Sequence, residues 1–372
     1  MSRRYRAAAR RLTSLLRDPL LLLPLLLAIA LLPFTPLPLS SLPAAIDWRT
    51  IITLTGLLLL SKGVESSGYL DWLGRRIIAR LHSERAIALL LVVASLLLAA
   101  VLTNDVALFI VVPLTLALKK LANMAVTRLI VLEALAVNVG SLLTPIGNPQ
   151  NILIWGHSGW GFWLFIAQML PLAATLSALL LLLTCLSTPR RRLILPNAAA
   201  PPDRRRRQLW SCLALYPLFI AAIDAGYPAS GLLLLAAVLL YLAPATLRRI
   251  DWPLLAVFII MFIDVRLLIS LPQLEGLSQQ ATQMQGTSLY LAAIALSQLI
   301  SNVPATILLL GVQPPSLPLA YGVNIGGFGV ALGSMANLIA LRMAGGRRIW
   351  GLFHLYSLPA LLLATLIGGG LL

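Results

Sequence analysis

Asparagine amides, glycines and a proline stand in the middle of apolar sequence at two places in this chain, where a membrane helix has least use for them. Asn138-Val-Gly140 is followed, after six intervening residues, by Gly147-Asn148-Pro149-Gln150-Asn151. The pattern returns at a constant offset of 186 residues as Asn324-Ile-Gly326 and Gly333-Ser334-Met335-Ala336-Asn337. A second polar knot precedes each copy, Thr103-Asn104-Asp105 in one and Ser301-Asn302-Val303-Pro304 in the other. Broken helices in corresponding positions of two halves point to a transporter binding site. Asparagine side chains and freed backbone carbonyls supply oxygens for Na⁺, and half-helix N-termini supply N–H groups and a positive dipole end for an anion. The candidate substrate- and ion-binding set is therefore Thr103, Asn104, Asp105, Asn138, Thr144, Gly147, Asn148 and Asn151 in the first half. In the second it is Ser301, Asn302, Thr306, Asn324, Gly333, Ser334 and Asn337. Within each half these residues are expected to gather as one cluster, Asn104 with Asn148 and Asn151, and Asn302 with Ser334 and Asn337.

Four charges interrupt apolar runs, namely Asp105, Glu133, Asp264 and Arg266. Ionisable groups inside a membrane are costly to keep, so a function is the default reading. Asp105, Glu133 and Asp264 are the candidate carriers of coupling charge. Glu133 has a plainer alternative as a partner for Arg128 or Lys120. Asp264 and Arg266 are two residues apart and face different sides of a helix. Arg266 corresponds to Lys62 through the 204-residue offset of two Ile-Asp-Trp triplets, at 46–48 and 250–252. Both are expected to snorkel to an interface.

The elements that must hold these groups follow from composition. The 372 residues are 59% hydrophobic and 11% charged, with a mean hydropathy of +0.93. A soluble domain carries about 25% charge, so the chain is a polytopic, all-α membrane protein. The net charge of +16 lies in short basic clusters between apolar runs, as orientation by positive-inside loops requires, and no nucleic-acid module is visible. Cys185 and Cys212 have no metal or disulfide spacing. A cytoplasmic N-terminus threads spans at about 19–34, 49–65, 86–118 (out and back), 129–156 and 160–186. Further spans follow at about 209–225, 229–245, 252–269, 288–311 (a hairpin), 316–342 and 350–371. This threading gives about 10–11 membrane segments and places 26 of the 28 Lys and Arg residues inside, leaving Arg49 and Arg266. The stretch 69–81 reads as an interfacial amphipathic helix.

The segments divide into 1–45 (cytoplasmic segment and first span), 46–187 (first repeat) and 188–208 (basic cytoplasmic linker). Residues 209–345 form the second repeat and 346–372 a last span ending on the periplasmic side. The second repeat enters from the opposite side, so the two are inverted. Arms of 288–300 and 303–311 are too short for a ~30 Å core, so the second knot is expected to be the tip of a re-entrant hairpin. The first has longer arms, and 84–120 is either a hairpin or two full spans.

At TNDVALFIVVPL and GSLLTPIGNPQNILIWG the chain resembles the ion transporter superfamily over about residues 46–345. That group holds divalent-anion/sodium symporters, citrate transporters, arsenite permeases and one class of sodium/proton antiporters. The resemblance implies elevator-like alternating access, often in a homodimer, with hairpin tips and broken helices sharing the ligands. Thr103-Asn104-Asp105 and Ser301-Asn302-Val303 occupy the places of the two tips, with Asp105 and Val303 where dicarboxylate members carry threonine. A carboxylate at a tip repels an anion unless a proton or cation neutralises it.

The reading is a secondary transporter of a small anion or oxyanion in a bacterial inner membrane, coupled to Na⁺ or H⁺. The alternatives are a Na⁺/H⁺ antiporter and, third, an arsenite/antimonite-type efflux permease. No cofactor is expected beyond the coupling ion, and no nucleotide loop is present. Gly156-His157-Ser158-Gly159 has the form of a serine-protease nucleophile motif. A partner His354 would lie about a bilayer away in this threading, so no enzyme is expected.

Overall fold

The computed structural model describes residues 19–69, 72, 73, 76, 81, 83–122, 126–192 and 205–372. The arginine-rich residues 1–17, most of the amphipathic stretch 69–81 and the linker residues 193–204 lie outside these. Among the described residues the secondary structure is helical apart from one isolated bridge between Ser83 and Arg192.

Long leucine-rich runs make the helices, and a small set of polar and proline residues ends them. Helix α1 (Pro19–Leu31) contains Pro24 and leads to a 3-10 segment, Leu39–Ala45, which meets α2 (Trp48–Ser66) at 55°. The repeated Ile-Asp-Trp proves to be a helix start. Asp47 Oδ1 accepts from Thr50 N at 3.1 Å at the head of α2, satisfying one orphan donor of the first turn. Helices α3 (Glu84–Val101) and α4 (Asn104–Ala122) turn back on each other at Leu102 and Thr103. Then come α5 (Val126–Ser141), a break, α6 (Pro149–Ser158) and α7 (Phe162–Ser187).

The second half begins with α8 (Arg206–Asp224), α9 (Pro228–Leu242) and α10 (Pro244–Arg249). Asp251 caps α11 (Trp252–Ile269), accepting from Leu254 N at 3.0 Å as Asp47 does for α2. A polar helix, α12 (Glu275–Gln283), occupies the stretch read from sequence only as a connection. Helices α13 (Gly286–Ile300) and α14 (Asn302–Leu310) turn at Ser301, and α15 (Leu317–Ile325) is separated by a break from α16 (Met335–Ala344). Helix α17 (Arg348–Leu371) closes the chain.

Four of these helices, α3, α7, α11 and α17, are long and apolar enough to cross a membrane, and the bent pair ending in α2 is a fifth. The expected single crossings at 129–156 and 316–342 are each two helices with irregular backbone between them. Proline shortens others, since the apolar run after Pro228 ends at Leu242, before Pro244 starts α10. The arms α13 and α14, with 15 and 9 residues, reach only about 22 and 14 Å. The arms α3 and α4, with 18 and 19 residues, reach roughly 28 Å.

Helix α5 is the centre of the core. Its residues from Leu129 to Ser141 are all buried, against α3, α4, α7 and α16. Gly140 allows the closest of these approaches, because a Cβ there would stand 2.1 Å from Leu96 O of α3. Around it, α13 packs on α15, α2 on α8 and α9, and α1 on α11. The outward faces of α7 and α17 carry exposed leucines such as Leu186 and Leu366, as a surface solvated by lipid would.

Candidate functional site

The two breaks meet. Asn138 Nδ2 donates to Asn337 Oδ1 at 2.7 Å, and Asn324 Nδ2 donates to Asn151 Oδ1 at 2.7 Å. Each bond joins the first polar position of one copy to the last position of the other. The same two amides also bond back within their helices, Asn138 to Ala134 O at 3.0 Å and Asn324 to Ala320 O at 2.8 Å. Asn151 Nδ2 reaches Ser141 O, Leu142 O and Thr144 O, while Asn337 Nδ2 reaches Gly327 O at 2.8 Å. Asn148 ties the groups together. Its Oδ1 caps α6 through Asn151 N at 2.9 Å, and its Nδ2 donates to Asn324 Oδ1 at 3.0 Å. Side chains of the two copies therefore pair with each other, besides the Asn148–Asn151 contact within the first half. All five asparagines are buried, and backbone left unpaired by the breaks would otherwise be costly.

Glycine makes the breaks compact. A Cβ on Gly147 would lie 2.2 Å from Ser141 O, and one on Gly333 would lie 2.6 Å from Gly326 O. Thr144 Oγ1 is bonded to Ala100 O at 2.6 Å, holding the first break to the end of α3.

Both tips touch the breaks. Asn104 N donates to Gly147 O at 2.9 Å, and Asn104 Oδ1 accepts from Asp105 N at 2.9 Å. Asn302 Nδ2 and Asn138 Oδ1 flank Gly327, each 3.4 Å from where its Cβ would be. Thr306 Oγ1 donates to Asn302 O at 2.7 Å in the first turn of α14. Ser301 is held at φ 75° and ψ 154°, the one non-glycine residue with positive φ among those described. That backbone costs about 1–3 kcal/mol and such strain concentrates at ligand clamps. Ser334 and Asn337 are buried at the start of α16, and Ser334 makes no capping bond to it.

Several buried oxygens in this region have no hydrogen-bond partner, among them Thr103 Oγ1, Asp105 Oδ1, Glu133 Oε2, Gln150 Oε1 and Asp264 Oδ1. Thr103, Asp105 and Gln150 belong to the first tip and the first turn of α6. An oxygen-preferring cation is the ligand such acceptors suit. Glu133 does not pair with Arg128. Its Oε1 accepts from Thr115 Oγ1 of α4, and Arg128 Nη1 donates instead to Ser187 O. Lys62 pairs with Glu65 at 2.7 Å, and Arg266 is exposed while Asp264 is buried.

Three residues outside the predicted set also shape the site. Gln150 stands in the first signature between Asn148 and Asn151, and its buried Oε1 has no hydrogen-bond partner. Gln298 of α13 donates to Gly326 O at 2.8 Å and Phe328 O at 3.0 Å and accepts from Val330 N at 2.9 Å, clasping the second break. Only its place within a helix arm was legible. Arg342, in the last turn of α16, lines two neighbouring cavities of about 210 and 420 Å³. The smaller also contains Asp105 and Asp251, and the larger Asp264 and Ser301. Ser158 and His354 are engaged elsewhere. Ser158 Oγ bonds to Trp155 O and Trp160 N, and His354 Nε2 accepts from Ala331 N.

A helical membrane protein with paired broken helices and buried amides has the make-up of a transporter, and the family comparison agrees. Residues 19–314 match the citrate transporter family (CitMHS), and the chain belongs to that family; it is a transporter-family protein and not an enzyme. It is 54% identical to the inner membrane protein YbiR of Escherichia coli K12 over 325 residues, 87% of each chain. It is 31% identical over 317 residues to the uncharacterised transporter MJ0456 of Methanocaldococcus jannaschii, covering 83% of this chain and 85% of that one. A Mycobacterium tuberculosis H37Rv relative, the uncharacterised transporter Rv2684, is 27% identical over 340 residues, 80% of this chain and 79% of the relative. The chain is thus a multi-pass membrane transporter of the ion transporter superfamily.

Proposed function

We propose that this protein is a secondary active transporter that moves a small anion or oxyanion across the inner membrane, coupled to Na⁺ or H⁺ by alternating access. In this reading 46–187 and 209–345 are inverted-topology repeats, with re-entrant tips at Thr103-Asn104 and Ser301-Asn302, a cytoplasmic N-terminus and a periplasmic C-terminus. The homodimer implied by the family resemblance is part of the same proposal. The supporting observation is reciprocity. Asn138–Asn337 and Asn324–Asn151 are the same bond made twice with the copies exchanged, both at 2.7 Å, as a two-fold relation between halves would produce.

The tips and breaks have complementary work to do. Unpartnered oxygens of Thr103, Asp105 and Gln150 offer a cation site at the first tip, and Asn302 with the second break completes the substrate region. Asp105, Glu133 and Asp264 also favour a second reading, Na⁺/H⁺ antiport, because each is a buried carboxylate with an unsatisfied oxygen. Liposome reconstitution separates the two. Uptake of labelled sulfate, phosphate or citrate is measured under imposed Na⁺ or H⁺ gradients, alongside internal pH. Gradient-driven anion uptake is the expected result. Proton flux driven by Na⁺ with no anion moved would replace it by antiport.

A further inference from the structure

The two cavities beside the tips share a wall. Met335 and Arg342 of α16 line both, and the opposite sides are built by α1 and α11. Among the described residues Arg342 is the one cationic side chain lining either, against Asp105 and Asp251 in the smaller and Asp264 in the larger. Asp105 and Asp264 are each only 5% exposed, and each has an Oδ1 without a partner. Among the described residues, an anion entering here meets three carboxylates and one guanidinium. With the carboxylates ionised the local charge is negative and an anion is repelled. With Asp105 and Asp264 neutralised by a bound proton or Na⁺, Arg342 balances the exposed Asp251 in the smaller cavity and stands unopposed in the larger, so the repulsion is lifted.

We propose that Arg342 recognises the transported anion, and that cation loading of Asp105 and Asp264 is what makes its charge available. The inference rests on the anion-transport reading above and names the residue that reads the substrate. The ligand class follows from the fork of guanidinium N–H groups, which matches the paired oxygens of a carboxylate, sulfate or phosphate. Arg342 already has an interaction in this state, and five donors leave it able to add or exchange one. Because α16 begins at the second break, an anion held at Arg342 is bound to the element whose other end carries Ser334 and Asn337. Linkage then makes coupling reciprocal, since whatever cation binding does to anion affinity, anion binding does to cation affinity.

The charged neighbours are few. Around α4 the packed helices carry Glu84 and Arg85 of α3, Arg128 and Glu133 of α5, and Arg49, Lys62 and Glu65 of α2. None of these lines the Asp105 cavity, which among the described residues has Asp251 and Arg342 as its other charges. Around α11 the described part of α1 and α14 carry no charge, while α2 carries Arg49, Lys62 and Glu65; among the described residues Arg342 is the other charge lining the Asp264 cavity.

The test uses the full chain purified in detergent. Thermal unfolding is titrated with sulfate, phosphate and citrate as sodium or choline salts, at pH 5.5 and pH 8 and matched ionic strength. At least one probe is expected to stabilise the wild type, with affinity at least tenfold higher in the cation-loaded condition. Arg342→Gln should lose that affinity at least tenfold, and Arg342→Lys, which keeps the charge without the fork, should retain only part of it. Asp251→Asn, which still caps α11, should weaken the cation requirement. Unchanged anion affinity in both Arg342 variants would overturn the role of Arg342 and leave anion transport standing. Wild-type anion binding indifferent to Na⁺ and pH would overturn the gating by Asp105 and Asp264. If no probe binds the wild type and liposomes show only Na⁺/H⁺ exchange, the anion-transport reading itself falls.

Discussion

At the end of α6, Arg49 Nη1 donates to Gly156 O at 3.3 Å and His157 Nε2 stands 3.7 Å from Asp47 Oδ2. The first broken helix is thereby closed against the start of α2, on which it packs. In the second copy Arg342 and Met343 stand where Gly156 and His157 stand in the first, and Asp251 where Asp47 stands. There the same parts border an open cavity of about 210 Å³. The amide pairs at the centre are alike, while the flanks differ. Under the proposed transport cycle this difference is one end shut and the other open, a single state of an alternating pair. The breaks differ as well. Asn148 caps α6 with its own side chain, whereas the second break is clasped from outside by Gln298.

The largest effect expected from testing this comparison is at the glycines. Gly147→Ala places a methyl 2.2 Å from a backbone oxygen and Gly333→Ala one 2.6 Å away. Overpacking costs about 1–3 kcal/mol and sometimes more, so Gly147→Ala should be the worse of the two in thermal unfolding. The reverse order would mean that the first break is the softer one. Next come double-mutant cycles on Asn138 with Asn337 and on Asn324 with Asn151. Interhelical hydrogen bonds in membrane proteins average roughly 0.6 kcal/mol and reach about 1.7, and the two coupling energies should agree within about 0.5. Clearly unequal couplings would count against a two-fold relation between the copies.

The tips offer a third contrast. Ser301→Gly removes a strained φ and should stabilise by about 1 kcal/mol while lowering transport. Thr103→Gly has no such strain to relieve and should only destabilise. A Ser301→Gly variant as unstable as Thr103→Gly would remove the case for stored strain. Smallest is the closed end of α6. Arg49 and His157 are partly exposed, so Arg49→Ala or His157→Ala should cost no more than about 1 kcal/mol. Amide exchange over 153–158 should nevertheless quicken, and unchanged protection would show that these contacts do not hold the end shut.

Much of this was legible beforehand because membrane sequence has so little reason to contain what it contains here. Polar knots at 103–105 and 301–304 became helix turns, and the paired signatures became breaks at 142–148 and 326–334. Ile-Asp-Trp marked two capped helix starts. Span boundaries were legible to within a few residues wherever an apolar run was unbroken, as at 252–269. They were not legible where a run hid an interruption or where polar residues formed their own short helix, as in α12.

By itself, then, the sequence determined which residues interrupt the helices and that they recur at a fixed offset, since helix propensity, apolar length and backbone breaks are local properties. Which amide answers which was decided by the tertiary structure, because Asn138 and Asn337 are 199 residues apart and nothing between them encodes the meeting. The same is true of Glu133 and Thr115, and of Arg342 beside Asp105 and Asp264. A buried polar group takes the partner that packing brings to it, and packing is a property of the whole chain.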